Sequence, residues 1–284
     1  MPLPNGPRFT NQNTTYCFNS SLMKFTLIAV VSIFLVLSAL AAFRPSPRPA
    51  ASTREARQVA PFTAVLLATN ATVVVRQGPQ QVVIEGPANE LARLTTTVAG
   101  AQLRIGTASP QGWERLNVRR RNNLTVYVTM PAIRGLAVTS SGQLEVDSIR
   151  TPALTLAVSG SGKLRVGQIR ARSVQTELSS SGGIGIRVLW ADSLRADVTG
   201  SGSVAAAGRC THSALTLDSS GDIDTDGLAT ETCSVRVSGS GSCQVNAART
   251  LGVRISSSGT VVFVGNPKIT LAVSGSGQLR RKPL

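Results

Sequence analysis

Residues 157–166, AVSGSGKLRV, join a Ser-Gly run to a short apolar alternation. Read alone, a Ser-Gly run is a flexible linker. This one returns eight times, as TSSG, SGSG, SSSG, TGSG, DSSG, SGSG, SSSG and SGSG. The last glycines of these runs are Gly142, Gly162, Gly182, Gly202, Gly221, Gly241, Gly259 and Gly277, separated by 20, 20, 20, 19, 20, 18 and 18 residues. A linker keeps no such period, whereas a solenoid does.

Counting from each marker glycine, the same chemistry recurs at fixed offsets. Two residues after it stand Leu144, Leu164, Ile184, Val204, Ile223, Cys243, Val261 and Leu279. Four before it stand Val158, Leu178, Val198, Leu217, Val237, Ile255 and Val273, and eight before it Leu154, Val174, Leu194, Ser213, Cys233, Leu251 and Ile269. Polar residues fall between these positions, so the alternation has period two and each unit carries at least two strands. A unit of this size cannot bury its apolar face alone but can do so against copies of itself. The expected fold is all-β: a parallel β-helix of about 20 residues per turn, with equivalent residues stacked about 4.8 Å apart and eight turns over roughly 38 Å. The marker glycines form the corners, where glycine permits unusual φ values and small residues let turns approach. The residue two before the marker alternates strictly between serine and glycine: Ser140, Gly160, Ser180, Gly200, Ser219, Gly239, Ser257, Gly275. A side chain in one turn therefore fills space that glycine leaves in its neighbours.

The chain has 284 residues, 42% hydrophobic and only 4% aromatic, enough apolar material for a core. Residues 136–284 form the eight-turn repeat, and residues 61–135 are strand-patterned without it. FTAVLLA, ATVVVRQG, QQVVIEG, LTTTVAGAQLRIG and LTVYVTMP read as successive strands, and 107–123 as a long loop. Residues 43–60 hold a proline-rich stretch expected to be an extended spacer. Residues 1–42 read as a signal region: Lys24, then an apolar run from Phe25 to Phe43 closed by Ala39 and Ala41, with a start at Met23. Left uncleaved, the same run is long enough to anchor in a bilayer. Either way the expectation is export, to the periplasm, the outer-membrane surface or the medium.

Beyond residue 42 there are 27 Lys and Arg against 14 Asp and Glu, a balance that attracts anions. Clusters stand at Arg119, Arg120 and Arg121 and at Arg280, Arg281 and Lys282, the latter followed by Pro283 and placed to protect the end of the last turn. Arg165, Arg195, Arg236 and Arg254 are outward on the strand pattern and are candidates to meet an anionic polysaccharide or another cell-surface component. The plainer reading is a solvated basic surface. No pattern for sequence-specific nucleic-acid binding is present, and the oligomeric state is not legible.

Candidate chemistry is sparse. DIDTDG places Asp222, Asp224 and Asp226 in the opening of a calcium loop, but Cys233 stands where the bidentate glutamate belongs, so solvated carboxylates are the expectation and no cofactor is assigned. His212, the sole histidine, lies beside Cys210 in a turn-like segment without a third partner for nucleophilic catalysis. Cys233 and Cys243 fall in inward columns, and a bridge between Cys210 and Cys233 stays open. Cys17 precedes the apolar run, leaving three cysteines, an odd count and no disulfide framework.

The strands FTAVLLATNATVVVRQGPQQVVIEG, the segment YVTMPAI and the recurring GSG turns together resemble the auto-transporter adhesin family with a head GIN domain, over about residues 61–280. The resemblance implies a right-handed β-helix similar to pectin lyases but without their catalytic residues. It also implies a bacterial envelope protein, common in Bacteroidetes-type organisms, with adhesion as its proposed role. It supplies no site residues. The expected function is a non-catalytic exported adhesin or glycan-binding module. The alternatives are an envelope scaffold without ligand and a polysaccharide-active enzyme.

Overall fold

A computed structural model describes residues 52–108 and 124–282. The signal region, the prolines at 45, 47 and 49, the arginines at 119–121 and Pro283 lie outside the described residues. No helix among the described residues is long and apolar enough to cross a membrane.

The described chain is almost entirely β, with stacked parallel coils of about 20 residues. The long strands β11 (Lys163–Leu178), β12 (Gly183–Val198), β13 (Ser203–Leu217), β14 (Asp222–Val237) and β15 (Ser242–Ile255) each run most of one coil. Each pairs in parallel with the next: Leu164 sits beside Ile184, Ile184 beside Val204, Val204 beside Ile223. These residues are at most 2% exposed, so the inward columns read from the sequence are the core. The eight corners bound about seven complete turns rather than eight. Thr176, Thr225 and Thr230 interrupt the apolar columns, and each donates its hydroxyl to a backbone carbonyl of the following coil. That removes the cost of burying them.

The corners differ from expectation in one respect. None of the eight marker glycines has positive φ. What they need is room. A Cβ on Gly182 would lie 2.5 Å from the carbonyl oxygen of Gly162 and 2.6 Å from that of Gly160. The serine–glycine alternation has the same origin. A Cβ on Gly160, Gly200 or Gly239 would penetrate the carbonyl of Ser140, Ser180 or Ser219 in the coil before. In the intervening coils Ser180, Ser219 and Ser257 donate their hydroxyls to the carbonyls of Gly160, Gly200 and Gly239. Two coils, one close-packed and one hydrogen-bonded, are therefore the repeating unit. Glycine is needed for its φ elsewhere, at Gly208 (φ 124°), where the 19-residue step drops one residue opposite Ile186–Leu189.

The N-terminal strands build two layers of the stack and its cap. β2 (Ala64–Leu67) and β3 (Thr72–Gln77) pair in parallel with β8 (Gly135–Val138) and β9 (Gln143–Arg150), and Ser140 donates to the Thr69 carbonyl at 2.7 Å. Residues 64–77 are thus a coil whose corner lacks the Ser-Gly marker. On its other side lie β6 (Gln102–Thr107) and β7 (Thr125–Met130), again parallel. The first coil in sequence is consequently the second layer in space. β5 (Leu94–Ala99) and β4 (Gln81–Pro87) pair antiparallel with β6 and β7 and occupy their outer edges. A single helical turn, α1 (Ala88–Leu91), joins β4 to β5.

The spacer expected over 43–60 is partly a strand. β1 (Ser52–Arg57) pairs antiparallel with β4, and Arg54 meets Glu85 at 3.2 Å. This stretch, STREAR, is free of proline and can fill the open edge of β4. At the other end, β16 (Thr260–Val264) is followed by β17 (Lys268–Val273), which pairs with β15, and β18 (Gln278–Arg281), which pairs with β16. Lys282 turns back to Asp226, but Ile269, Leu271 and Val273 remain 40–48% exposed, so the basic tail does not cover the last apolar column.

The glycine reading makes a paired prediction. Gly200→Ala forces a methyl into the Ser180 backbone and is expected to cost about 2 kcal/mol or more. Gly185→Ala, with nothing within 4 Å of the added Cβ, should leave the melting temperature unchanged or raise it slightly. Thermal unfolding of the two variants beside the parent checks this.

Candidate functional site

Between two outward columns the solenoid carries an open trough of about 580 Å³. One column is Ala153, Ser173, Ser193, His212, Thr232 and Thr250; the other is Thr155, Gln175, Arg195, Ala214, Ser234 and Gly252. Each series places one residue per coil, so the trough runs along the solenoid axis across six strands, roughly 24 Å. Beneath it lies the inward column Leu154, Val174, Leu194, Ser213 and Cys233.

The polar groups of the two columns stand over a floor whose exposed surface is largely apolar, and several of them are held in place. His212 Nδ1 lies 2.6 Å from Thr232 Oγ1 on the next coil. Gln175 Nε2 donates to Glu177 Oε1 at 2.7 Å, and Arg195 Nε donates to Asp197 Oδ2 at 2.7 Å, each along its own strand. The hydrogen bond it donates to Asp197 holds the Arg195 guanidinium pKa above its ordinary value. These groups offer hydroxyls, an amide, an imidazole and one neutralised cation in a regular row. The row suits a polymer with many hydroxyl groups; beside it Glu177 and Asp197 are register partners on adjacent coils, each already engaged by a side chain of its own strand, Gln175 and Arg195.

The four sequence-selected arginines are not one ladder. Arg165 lies after a corner and sits 3.6 Å from Glu145. Arg195 is in the trough wall beside Asp197. Arg236 and Arg254 alone are neighbours in register, on β14 and β15, with no ion pair among the described residues. Strand position, not outward direction alone, decides which side of the coil a residue occupies, and the sequence count had treated all outward positions alike.

The calcium candidate does not assemble. Asp222 and Asp224 point outward on either side of buried Ile223. Asp226 is bound to Lys282 at 2.7 Å, and that hydrogen bond lowers its pKa. Among the described residues no three His, Cys, Asp or Glu side chains are grouped to hold a metal ion.

Cys210 and His212 lie within β13 rather than in a turn. The Cys210 thiol is buried and donates to the His212 backbone carbonyl at 3.0 Å, while the His212 ring faces out, so the two do not form a nucleophile pair. Cys210, Cys233 and Cys243 are all free and buried. Cys233 stands beside Ser213, and Cys210 beside Thr230, so the residues bridged in one alternative reading are not partners. Burial raises all three thiols, Cys233 to about 11 despite the opposing Ser213 hydroxyl. Ser213 is the one buried threonine or serine hydroxyl here without an oxygen or nitrogen partner.

An all-β parallel solenoid with polar columns along its axis defines the class. The chain belongs to the family described as "Putative auto-transporter adhesin, head GIN domain", which matches residues 61–267. Among solved structures it is similar to a "putative adhesin" of Bacteroides fragilis NCTC 9343, with TM-score 0.62 and 17% identity over 84% of this chain and 99% of that one. It is also similar to a "putative lipid binding protein" of Parabacteroides distasonis ATCC 8503 (TM-score 0.71, 18% identity, 82% and 97% covered). A third is a "putative adhesin" of Parabacteroides merdae ATCC 43184 (0.66, 16%, 82% and 96%). At these identities the likeness is one of fold. The comparison with curated proteins found no match.

Two outcomes are expected from the core beneath the trough. Ser213→Ala removes a buried hydroxyl that meets the Cys233 sulfur but no oxygen or nitrogen, and should be neutral or mildly stabilising, read from the denaturant midpoint. The thiols give a pH effect. An unfolded thiol titrates near about 8.5, whereas native Cys233 does so at about 11. The native state holds the extra proton between these values. Its contribution is therefore complete below the unfolded value and is lost as pH rises toward 11. Urea midpoints should fall between pH 8 and pH 10.5, and fall less in Cys233→Ala.

Proposed function

We propose that this protein is an exported, non-catalytic adhesin-like module that holds an extended glycan along the trough. The observation that carries the reading is that each of six successive coils presents at least one Ser, Thr, His or Gln side chain to the trough. A coil height of about 4.8 Å is close to the length of one sugar ring, so a polysaccharide laid along the axis meets one coil, and at least one polar side chain, per residue. Membership of an adhesin-type family supports a surface role, and the signal region read from the sequence supports export.

The scaffold reading has its own observation, the exposed Ile269, Leu271 and Val273 on β17. Apolar side chains beside a free strand edge favour association. A ligand-free oligomer that Leu271→Lys dissolves, without any glycan retained, would select that reading.

The glycan reading is tested by screening the protein against bacterial and host polysaccharides, then repeating the positive cases with two variants. Ser234→Trp lays an indole across the trough and should weaken binding by about tenfold or more, about 1.4 kcal/mol. Lys163→Trp, an exposed site after the corner, should leave affinity intact. Absence of any retained polysaccharide, or equal loss in both variants, contradicts the reading.

A further inference from the structure

A second axial column has a different chemistry. Arg150, Arg170, Trp190 and Arg209 are partners in strand register on β9, β11, β12 and β13. All four are exposed, so three guanidinium groups and one indole stand in line over roughly 14 Å. Trp190 is 40% exposed, and the other large exposed hydrophobics among the described residues all belong to β17 at the end of the stack. The Arg170 guanidinium lies over the Trp190 ring, 4.6 Å from its centroid. The strand beneath Arg150 is fixed as well: the Gln77 amide accepts from the Arg150 N–H at 2.8 Å and donates to its carbonyl at 2.9 Å.

Lack of an ion pair among the described residues separates this column from Arg165, Arg195 and Arg249; Arg236 and Arg254 share that lack but have no aromatic ring in their column. Arg165, Arg195 and Arg249 each have a carboxylate within 3.7 Å. Among the described residues no ion pair takes up Arg150, Arg170 or Arg209; Asp192, two residues along the strand from Trp190, pairs with none of them. Among the described residues no ion-paired carboxylate reaches these arginines, and Trp190 beside them is the one aromatic among the exposed large hydrophobics. An indole face binds the C–H face of a pyranose, and guanidinium groups bind carboxylate or sulfate in paired hydrogen bonds.

We infer that the Arg150–Arg170–Trp190–Arg209 column is a binding site for an acidic polysaccharide, a sugar ring stacking on Trp190 while its anionic substituents meet the flanking arginines. The ligand chemistry is set by this column and is independent of the trough. A single-stranded nucleic acid offers stacking and anionic groups too, but it draws on successive aromatic side chains, and this column has one.

The probe is polygalacturonate, with dextran as the neutral polymer and a single-stranded oligonucleotide as the competing class. Trp190 emission is read in a Trp113→Phe background, since these are the two tryptophans of the chain. Polygalacturonate should shift that emission saturably, and added salt should weaken the effect. Dextran should not shift it. Binding followed by retention on immobilised polygalacturonate should weaken about tenfold in Trp190→Ala and severalfold in Arg170→Gln and Arg209→Gln, with melting temperatures unchanged. Ser234→Trp should bind as the parent does, which separates this site from the trough. An equal response to dextran, preferential binding of the oligonucleotide, or full retention by the column variants would overturn the inference.

Discussion

Backbone meets backbone at the corners, and that approach governs everything else in the molecule. A parallel coil can stack on the next at strand spacing only if its turns are no bulkier than its strands. At Gly160, Gly200 and Gly239 even a methyl group would enter the serine carbonyl of the coil before. The serine coils answer with hydroxyls returned to the glycine carbonyls. Polar backbone groups that would otherwise be buried without partners are thereby used to lock successive coils together. The straight inward columns, and the straight outward ones that carry function, follow from this locking.

Stacking also explains why the surface is organised along the axis. In a globular sheet, cross-strand neighbours come from unrelated stretches of sequence. Here they come from the same position of consecutive units, so a residue type that recurs becomes a row. The trough and the arginine–tryptophan column are two such rows with different electrostatics. In the trough, Arg195 is held by Asp197 and hydroxyls dominate. In the column, Arg150, Arg170 and Arg209 have no ion pair among the described residues. A surface of this kind suits long, repetitive ligands better than small molecules, which agrees with an adhesin-type family.

The two ends are treated differently. The N-terminal segments close the stack with antiparallel strands, which consume edge hydrogen bonds without presenting another parallel coil. Placing the first coil in sequence between the layers β6/β7 and β8/β9 commits the chain to this cap before the repeat begins. At the C-terminal end β17 pairs with β15 alone, and its apolar column meets solvent.

The period near 20, the alternation within each unit and the small residues at the turns were enough to establish a parallel solenoid and its inward columns, because each of these is a local property repeated many times. They also showed the serine–glycine alternation, although not the carbonyl contacts that cause it. Residues 64–77 escaped the count because Thr69 and Ala71 stand at their corner without the Ser-Gly marker. The functional rows were harder to read. Arg150, Arg170 and Trp190 follow their marker glycines by eight residues, but Arg209 follows by seven, since the bulge at Gly208 removes one. Arg165, Arg195 and Arg236 look equivalent in a strand pattern and occupy different columns of the coil. Which outward residues share a side, which carboxylates reach them and where the wall turns concave depend on the bends between strands, and only the stacked structure decides those.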